Sequence, residues 1–170
     1  MIFEQSLSKL IVGCNNGTVG LYEPITGKGN EEFVDKENDP NMKCEVTSLA
    51  FIDGYDMILF ANSLGKIKLL GLPPLVVKNR ILYTMNNYAM NSTVLSPVIA
   101  VKYCPEIQRI FVADEKFYLR SYDVRKLFEH LDTVKLQDKA KRVFNIGEEH
   151  FKLLWIIKAH DDSIRSLEYI

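Results

Sequence analysis

Short apolar runs separated by polar turns recur along the whole chain, and their spacing predicts strands rather than helices. The first clear pair lies at Lys9–Glu23. Leu10, Ile11 and Val12 lead into the turn Asn15-Asn16-Gly17, and Val19, Leu21 and Tyr22 lead out. Asn and Gly tolerate the positive φ of tight hairpin turns, so this stretch is expected to be a β-hairpin. Further strands are expected at Val46–Ile52, Met57–Asn62, Lys66–Gly71 and Asn79–Thr84. The first three are rich in Val, Ile, Leu and Phe and are bounded by Gly, Asp, Asn or Pro. A second set is expected at Val98–Cys104, Arg109–Ala113, Tyr118–Asp123 and Leu153–Lys158.

The pattern is a repeat. Moved by 48 residues, Phe3 falls on Phe51, Gly13 on Ala61, Gly17 on Gly65, Val19 on Ile67 and Tyr22 on Leu70. Moved by a further 52, Val46 falls on Val98, Phe51 on Tyr103, Ala61 on Ala113 and Leu70 on Tyr122. Ser163–Ile170 repeats Glu45–Ile52, with Ile164, Leu167 and Tyr169 in the places of Val46, Leu49 and Phe51. The step from Tyr103 to Tyr169 is 66, so an insertion is expected between Tyr122 and Trp155. Four short antiparallel strands repeated every 40–50 residues or so form the blade of a β-propeller. The expected fold class is therefore all-β, a partial propeller of about three four-stranded blades. The blades are expected at about 1–44, 45–96 and 97–162, with the start of a fourth at 163–170. A propeller needs about four to eight blades to close. The chain is thus expected to be a slice of a longer protein, or to have its ends covered, with Phe3 and Tyr169 on innermost strands.

Asp123–Phe144 breaks the period. Asp123 is a candidate helix N-cap, and Leu127, Phe128 and Leu131 follow at helical spacing, then Val134 and Leu136. Lys135, Lys139, Lys141 and Arg142 make the second half basic. A helical insertion is expected around 123–144. Two roles stay open: an elaborated loop packed on its own blade, or a docking element for another protein. The docking residues would be Arg125, Lys126, Phe128, Lys135, Lys139 and Arg142. The basic residues alternate with Asp138, Glu148 and Glu149 and lack a row of aromatic partners, so no nucleic acid is expected there.

Composition narrows the classes. Of 170 residues, 47% are hydrophobic and 25% charged, as in an ordinary soluble domain. The net charge of −1 supplies no field towards nucleic acid or a membrane surface. No apolar run approaches the roughly 20 residues that span a bilayer, and MIFEQSLSKL does not read as a secretory leader. Cys14, Cys44 and Cys104 are odd in number and scattered, which suits reduced thiols in the cytoplasm. Ile25–Lys43 is polar and expected to be mostly a solvated loop, with Glu32-Phe33-Val34 as an outer strand. Its acidic residues Glu31, Glu32, Asp35, Glu37 and Asp39 lack the ladder of a calcium loop. Pro73-Pro74 is expected to fix a loop, and Tyr88 and Met90 to be exposed on another. His160-Asp161-Asp162 has no further ligand or nucleophile at a suggestive spacing. No phosphate-binding, dinucleotide, nucleophile-elbow or HExxH motif occurs. No catalytic residue, cofactor or metal is expected.

The repeat resembles the WD40 family. There the third strand ends in Trp-Asp; here the place holds Tyr22-Glu23, Leu70-Gly71 and Tyr122-Asp123. The Gly-His pair of the family is matched in part by Ala159-His160, and its small residues by Gly13, Ala61 and Ala113. Gly17, Tyr22, Gly65, Tyr122, Asp123 and His160 are the structural positions so identified. The turn position of the family's Asp holds Asn16, Leu64 and Lys116, which implies blades that rely mainly on apolar packing. WIIKAHDDSIRSLEYI resembles the blade junctions of large WD-repeat proteins of cilia and flagella. The resemblance implies a non-catalytic scaffold for protein–protein interactions in a multi-subunit complex, cytoplasmic, with the cilium and axoneme as the narrower placement. The alternative is a propeller enzyme or a small-molecule-binding regulatory domain with its site in the central channel. Small or apolar innermost positions, Ser48, Ala50, Ala100 and Ser166, argue against that alternative.

Overall fold

The computed structural model describes residues 1–4, 9–34, 44–159, 164 and 167. Its strands form three four-stranded antiparallel sheets, each in simple sequence order. The first holds β1 (Ile2–Glu4), β2 (Lys9–Gly13), β3 (Val19–Tyr22) and β4 (Gly29–Phe33). The second holds β5 (Val46–Ile52), β6 (Met57–Asn62), β7 (Lys66–Gly71) and β8 (Arg80–Asn86). The third holds β9 (Val98–Cys104), β10 (Arg109–Asp114), β11 (Tyr118–Asp123) and β12 (Lys152–Lys158). This is the fold of part of a WD40-like propeller.

The repeat extends to the irregularities. A bulge interrupts the pairing of the third and fourth strands between Leu21 and Tyr22, between Leu69 and Leu70, and between Ser121 and Tyr122. These positions are again 48 and 52 residues apart. A bulge adds twist and re-aims the outer strand, so its recurrence gives the three sheets one shape. The outer strands differ from the sequence expectation at their ends. β8 runs to Asn86 rather than Thr84, because Lys66 and Ile67 still pair with Asn86 and Met85. β4 is Gly29–Phe33 rather than 32–34, because Tyr22 pairs with Gly29 and Val19 with Phe33.

Alternation along each strand sends one face to each neighbouring sheet. Ile11, Val19 and Leu21 of the first blade pack on Ile58, Phe60 and Leu70 of the second. The other face of the second blade, Leu59, Ala61, Ile67 and Leu69, packs on Val101, Ile110 and Val112 of the third. The second blade is thus covered on both sides, and all of β6 is buried. The outer face of the third blade carries Ala100, Ala113 and Leu119, against which Ile164 and Leu167 pack. The expected strand at Ser163–Ile170 otherwise lies outside the described residues, with Tyr169, His160, Asp161 and Asp162; so does the side chain of Phe3.

The blades converge at their inner strands. Thr47 Oγ1 donates to Val98 O at 2.6 Å, and Val101 N donates to Ser48 Oγ at 3.0 Å. Gly13 sits where a Cβ would lie 2.4 Å from Val46 Cγ1, so the small residue there permits the close approach of β2 and β5.

Candidate functional site

The hairpin turns between second and third strands are each tied by one side chain. Asn62 Oδ1 accepts from Leu64 N and Lys66 N at 3.1 and 2.9 Å. Asp114 Oδ1 accepts from Lys116 N and Tyr118 N at 3.0 and 3.1 Å. The tying residue therefore lies two positions before Leu64 and Lys116, where the repeat places it. Only the first blade follows the expected position: Asn16 Oδ1 accepts from Thr18 N at 3.1 Å. Gly17 and Gly65 take the positive φ these turns need, 83° and 78°. Gly65 is further constrained, since a Cβ there would lie 2.7 Å from Ser96 O.

The third blade also holds a buried ion pair beside its apolar packing. Arg120 Nη1 lies 2.5 Å from Asp114 Oδ2, with side chains 4% and 0% exposed. Arg120 Nη2 donates to Tyr88 O at 2.9 Å, reaching the loop that leaves the second blade. The pair joins turn, strand and neighbouring blade. Tyr22 has a different structural role: its ring lies across Gly20 and Gly29, where a Cβ would meet it at 2.5 and 3.2 Å. Tyr122 packs against the core between blades two and three, and burial raises its hydroxyl pKa.

The insertion begins with α1 (Arg125–Lys135), whose N-cap is Val124 rather than Asp123. Asp123 still accepts from Arg125 N at 3.0 Å and pairs with the Arg125 guanidinium. That side-chain hydrogen bond holds the Asp123 carboxyl below its usual range. Leu127, Phe128, Leu131 and Val134 form the buried face of α1. Phe128 stacks on Tyr55 at 4.5 Å and meets Tyr103 edge-on at 5.5 Å. Tyr55 belongs to the β5–β6 turn of the second blade. Burial pushes its hydroxyl to about 12, helped by its hydrogen bond to the Asp132 carboxylate. Lys135 Nζ donates to Gly54 O at 2.6 Å and lies 4.0 Å over the Tyr55 ring.

The chain then returns along the outer side of the second blade. Arg142 donates to Leu75 O (2.8 Å), Pro74 O (3.2 Å), Lys135 O (3.0 Å) and Gln137 O (3.4 Å). Arg80 covers the ring of Phe144 at 5.1 Å, and Phe151 stacks on Tyr83 of β8 at 4.9 Å. The insertion is a strap that fastens the third blade to the second; it does not fold back on its own blade alone. Of the six residues expected to dock a partner, Phe128 is in the core, and Lys135 and Arg142 hold the strap in place. Arg125 pairs with Asp123. Lys126 and Lys139 remain exposed. Leu136 and Val143, 89% and 58% exposed, and Lys141 complete the outward surface.

Two histidines join α1 to the returning segment. The rings of His130 and His150 lie 5.0 Å apart, and His130 Nε2 is buried with no hydrogen-bond partner among the described residues. Burial lowers the His130 pKa, His150 lowers it further, and Glu149 opposes them. The folded-state pKa is thus below the unfolded value of about 6.5, so the unfolded chain binds the proton more readily. The stabilisation from neutral His130 is complete above both values and is lost as pH falls from about 6.5 through the folded-state pKa. Denaturant midpoints measured from about pH 7.5 down to about 5 are expected to fall less in His130→Gln than in the native chain. Equal slopes would contradict this placement of His130.

A groove of about 780 Å³ separates β4 from the 73–81 segment, lined in part by Phe33, Val34, Pro73, Val77, Lys78 and Ile81. Asn79 Nδ2 donates across it to Glu31 Oε2 at 2.6 Å. Among the described residues, no group of three or more His, Cys, Asp and Glu side chains is placed to hold a metal ion. No described helix is long and apolar enough to cross a membrane.

No family model matches the chain. Cilia- and flagella-associated protein 337 B of Tetrahymena thermophila is 22% identical over 99% of this chain, which spans 18% of that relative's length. Among solved structures, a chain in the crystal structure of the mitotic checkpoint complex superposes with a TM-score of 0.59 at 11% identity. The superposition covers 93% of this chain and 38% of that one. At that identity the likeness is one of fold, and it agrees with the stacked four-stranded sheets described above.

Proposed function

We propose that this chain is part of a non-catalytic WD-repeat scaffold that holds other proteins in a multi-subunit assembly of the cilium or axoneme. The observation that carries the reading is the strap. A surface insertion is fixed across two blades by aromatic stacking and by backbone-directed Arg142 and Lys135, which makes a rigid platform with exposed loops. The match to a cilia- and flagella-associated protein over nearly all of this chain supports the placement. The chemistry of such a scaffold is binding alone: blades supply rigidity, and rims and insertions supply contacts. The reading includes no nucleic-acid, membrane or cofactor role.

The test is to tag the intact protein at its own locus in a ciliated cell, locate it, and extract axonemes in graded salt. The expected result is axonemal fluorescence and co-sedimentation with a constant set of proteins. Diffuse cytoplasmic signal with sedimentation as a monomer would overturn the reading.

A further inference from the structure

We propose that the tip of the strap, residues 136–143, together with Val77 of the second blade, docks an acidic amphipathic segment of a partner protein. The proposal rests on the scaffold reading and narrows it to one surface and one chemistry. Leu136, Val143 and Val77 are 89%, 58% and 67% exposed. Isolated exposed aliphatic side chains are ordinary, but these three stand on segments bonded to one another. Arg142 ties the tip to Pro74 and Leu75, close in sequence to Val77.

The tip is held in its outward shape. Besides the four carbonyls bound by Arg142, Val143 N donates to Gln137 Oε1 at 3.2 Å, and Asp138 Oδ1 accepts from Ala140 N at 2.9 Å. A loop fixed in this way loses little conformational freedom when a partner arrives. Its charge selects the partner. Lys139 and Lys141 are exposed and, with Arg142, outnumber Asp138, the tip's one acidic residue, whereas Lys78 lines a groove that also holds Glu31 and Glu32. This local excess of cations stands on a chain whose net charge is −1. Carboxylates on a partner segment would meet these ammonium groups, and an apolar side chain beside them would cover Leu136 and Val143. Phe144, the aromatic ring next to the tip, lies under Arg80, which leaves it unsuited to stacking a base.

The assembly purified natively with the intact protein is treated with a reagent that joins amines to carboxyl groups, and the joined peptides are sequenced. Lys139 or Lys141 is expected to be joined to Asp or Glu of one partner segment that also carries apolar residues. Leu136→Asp, and separately Lys139→Glu with Lys141→Glu, are expected to cut recovery of that partner about tenfold or more. Lys28→Glu, in the β3–β4 turn, is expected to leave recovery unchanged. Unaltered melting temperatures show that the variants fold. The proposal is overturned if these lysines join only to this chain, or if recovery in the tip variants matches the native level. It is also overturned if nucleic acid or lipid, rather than a protein, is what the tip variants release. Partners that persist through other rims leave the scaffold reading standing; absence of any partner defeats both.

Discussion

Asp114→Ala is expected to destabilise the protein by about 3–5 kcal/mol, the usual consequence of leaving one member of a buried ion pair without its partner. Arg120 is 4% exposed and cannot turn to water without disturbing β11. Its remaining hydrogen bond to Tyr88 O does not replace the lost carboxylate. Two turn bonds, from Lys116 N and Tyr118 N, disappear with it, at about 1 kcal/mol each. The double variant Asp114→Ala, Arg120→Leu is expected to recover part of the loss, because an apolar replacement of a buried pair is often close to neutral. Denaturant unfolding of the two variants and the native chain makes the comparison. A single variant within about 1 kcal/mol of native would contradict the buried pair.

Phe128→Ala is expected to cost about 3–5 kcal/mol through lost burial and the cavity left behind. Loss of the stacking on Tyr55 and the edge contact with Tyr103 contributes to this. The effect has a spectroscopic signature. Tyr55 is held at about 12 chiefly by burial, and opening the space beside it should move its titration back towards about 10. Ultraviolet titration of the tyrosines reads that shift, and calorimetry reads the stability. Lys126→Ala, on the exposed side of the same helix, serves as the comparison and should change stability by less than about 0.5 kcal/mol. Equal effects from the two substitutions would remove Phe128 from the core.

The inner strands are legible in the sequence because their apolar positions are dense and recur at the repeat spacing, and because the turns between second and third strands carry or adjoin Asn, Gly or Asp. In the second blade both faces are buried, so β6 reads as a nearly continuous apolar run, Met57 to Ala61. Outer strands are half solvated, and Gly29-Asn30-Glu31-Glu32-Phe33 carries almost no apolar alternation; pairing with β3, rather than its own pattern, makes it a strand.

The Asp114–Arg120 pair is hidden for a different reason. Hydrophobic periodicity has no term for it, and the turn position of the WD40 pattern points to Lys116, two positions too far along. A signal is present nonetheless: Asn62 and Lys68 lie 52 residues before Asp114 and Arg120, so a cation interrupts the same apolar strand twice. Both cations are buried. For the insertion, the spacing of Leu127, Phe128 and Leu131 reveals a helix with an apolar face but not which surface receives it. That Arg142 finds carbonyls at 74 and 75 depends on the third dimension alone. Charge and spacing consequently offer the residues that fasten the strap as partner contacts, and they give no sign that Leu136 and Val143 face outward.

The measurement that bears most directly on the strap is hydrogen exchange of the intact protein, resolved by peptide. If α1 fastens the third blade to the second, amides of Leu127–Val134 should exchange about as slowly as those of β6 and β10. Phe128→Ala should speed α1 while leaving β6 slow. An α1 that exchanges at the rate of the exposed 24–28 turn, with β6 and β10 still protected, would show that the insertion is not part of the packed structure.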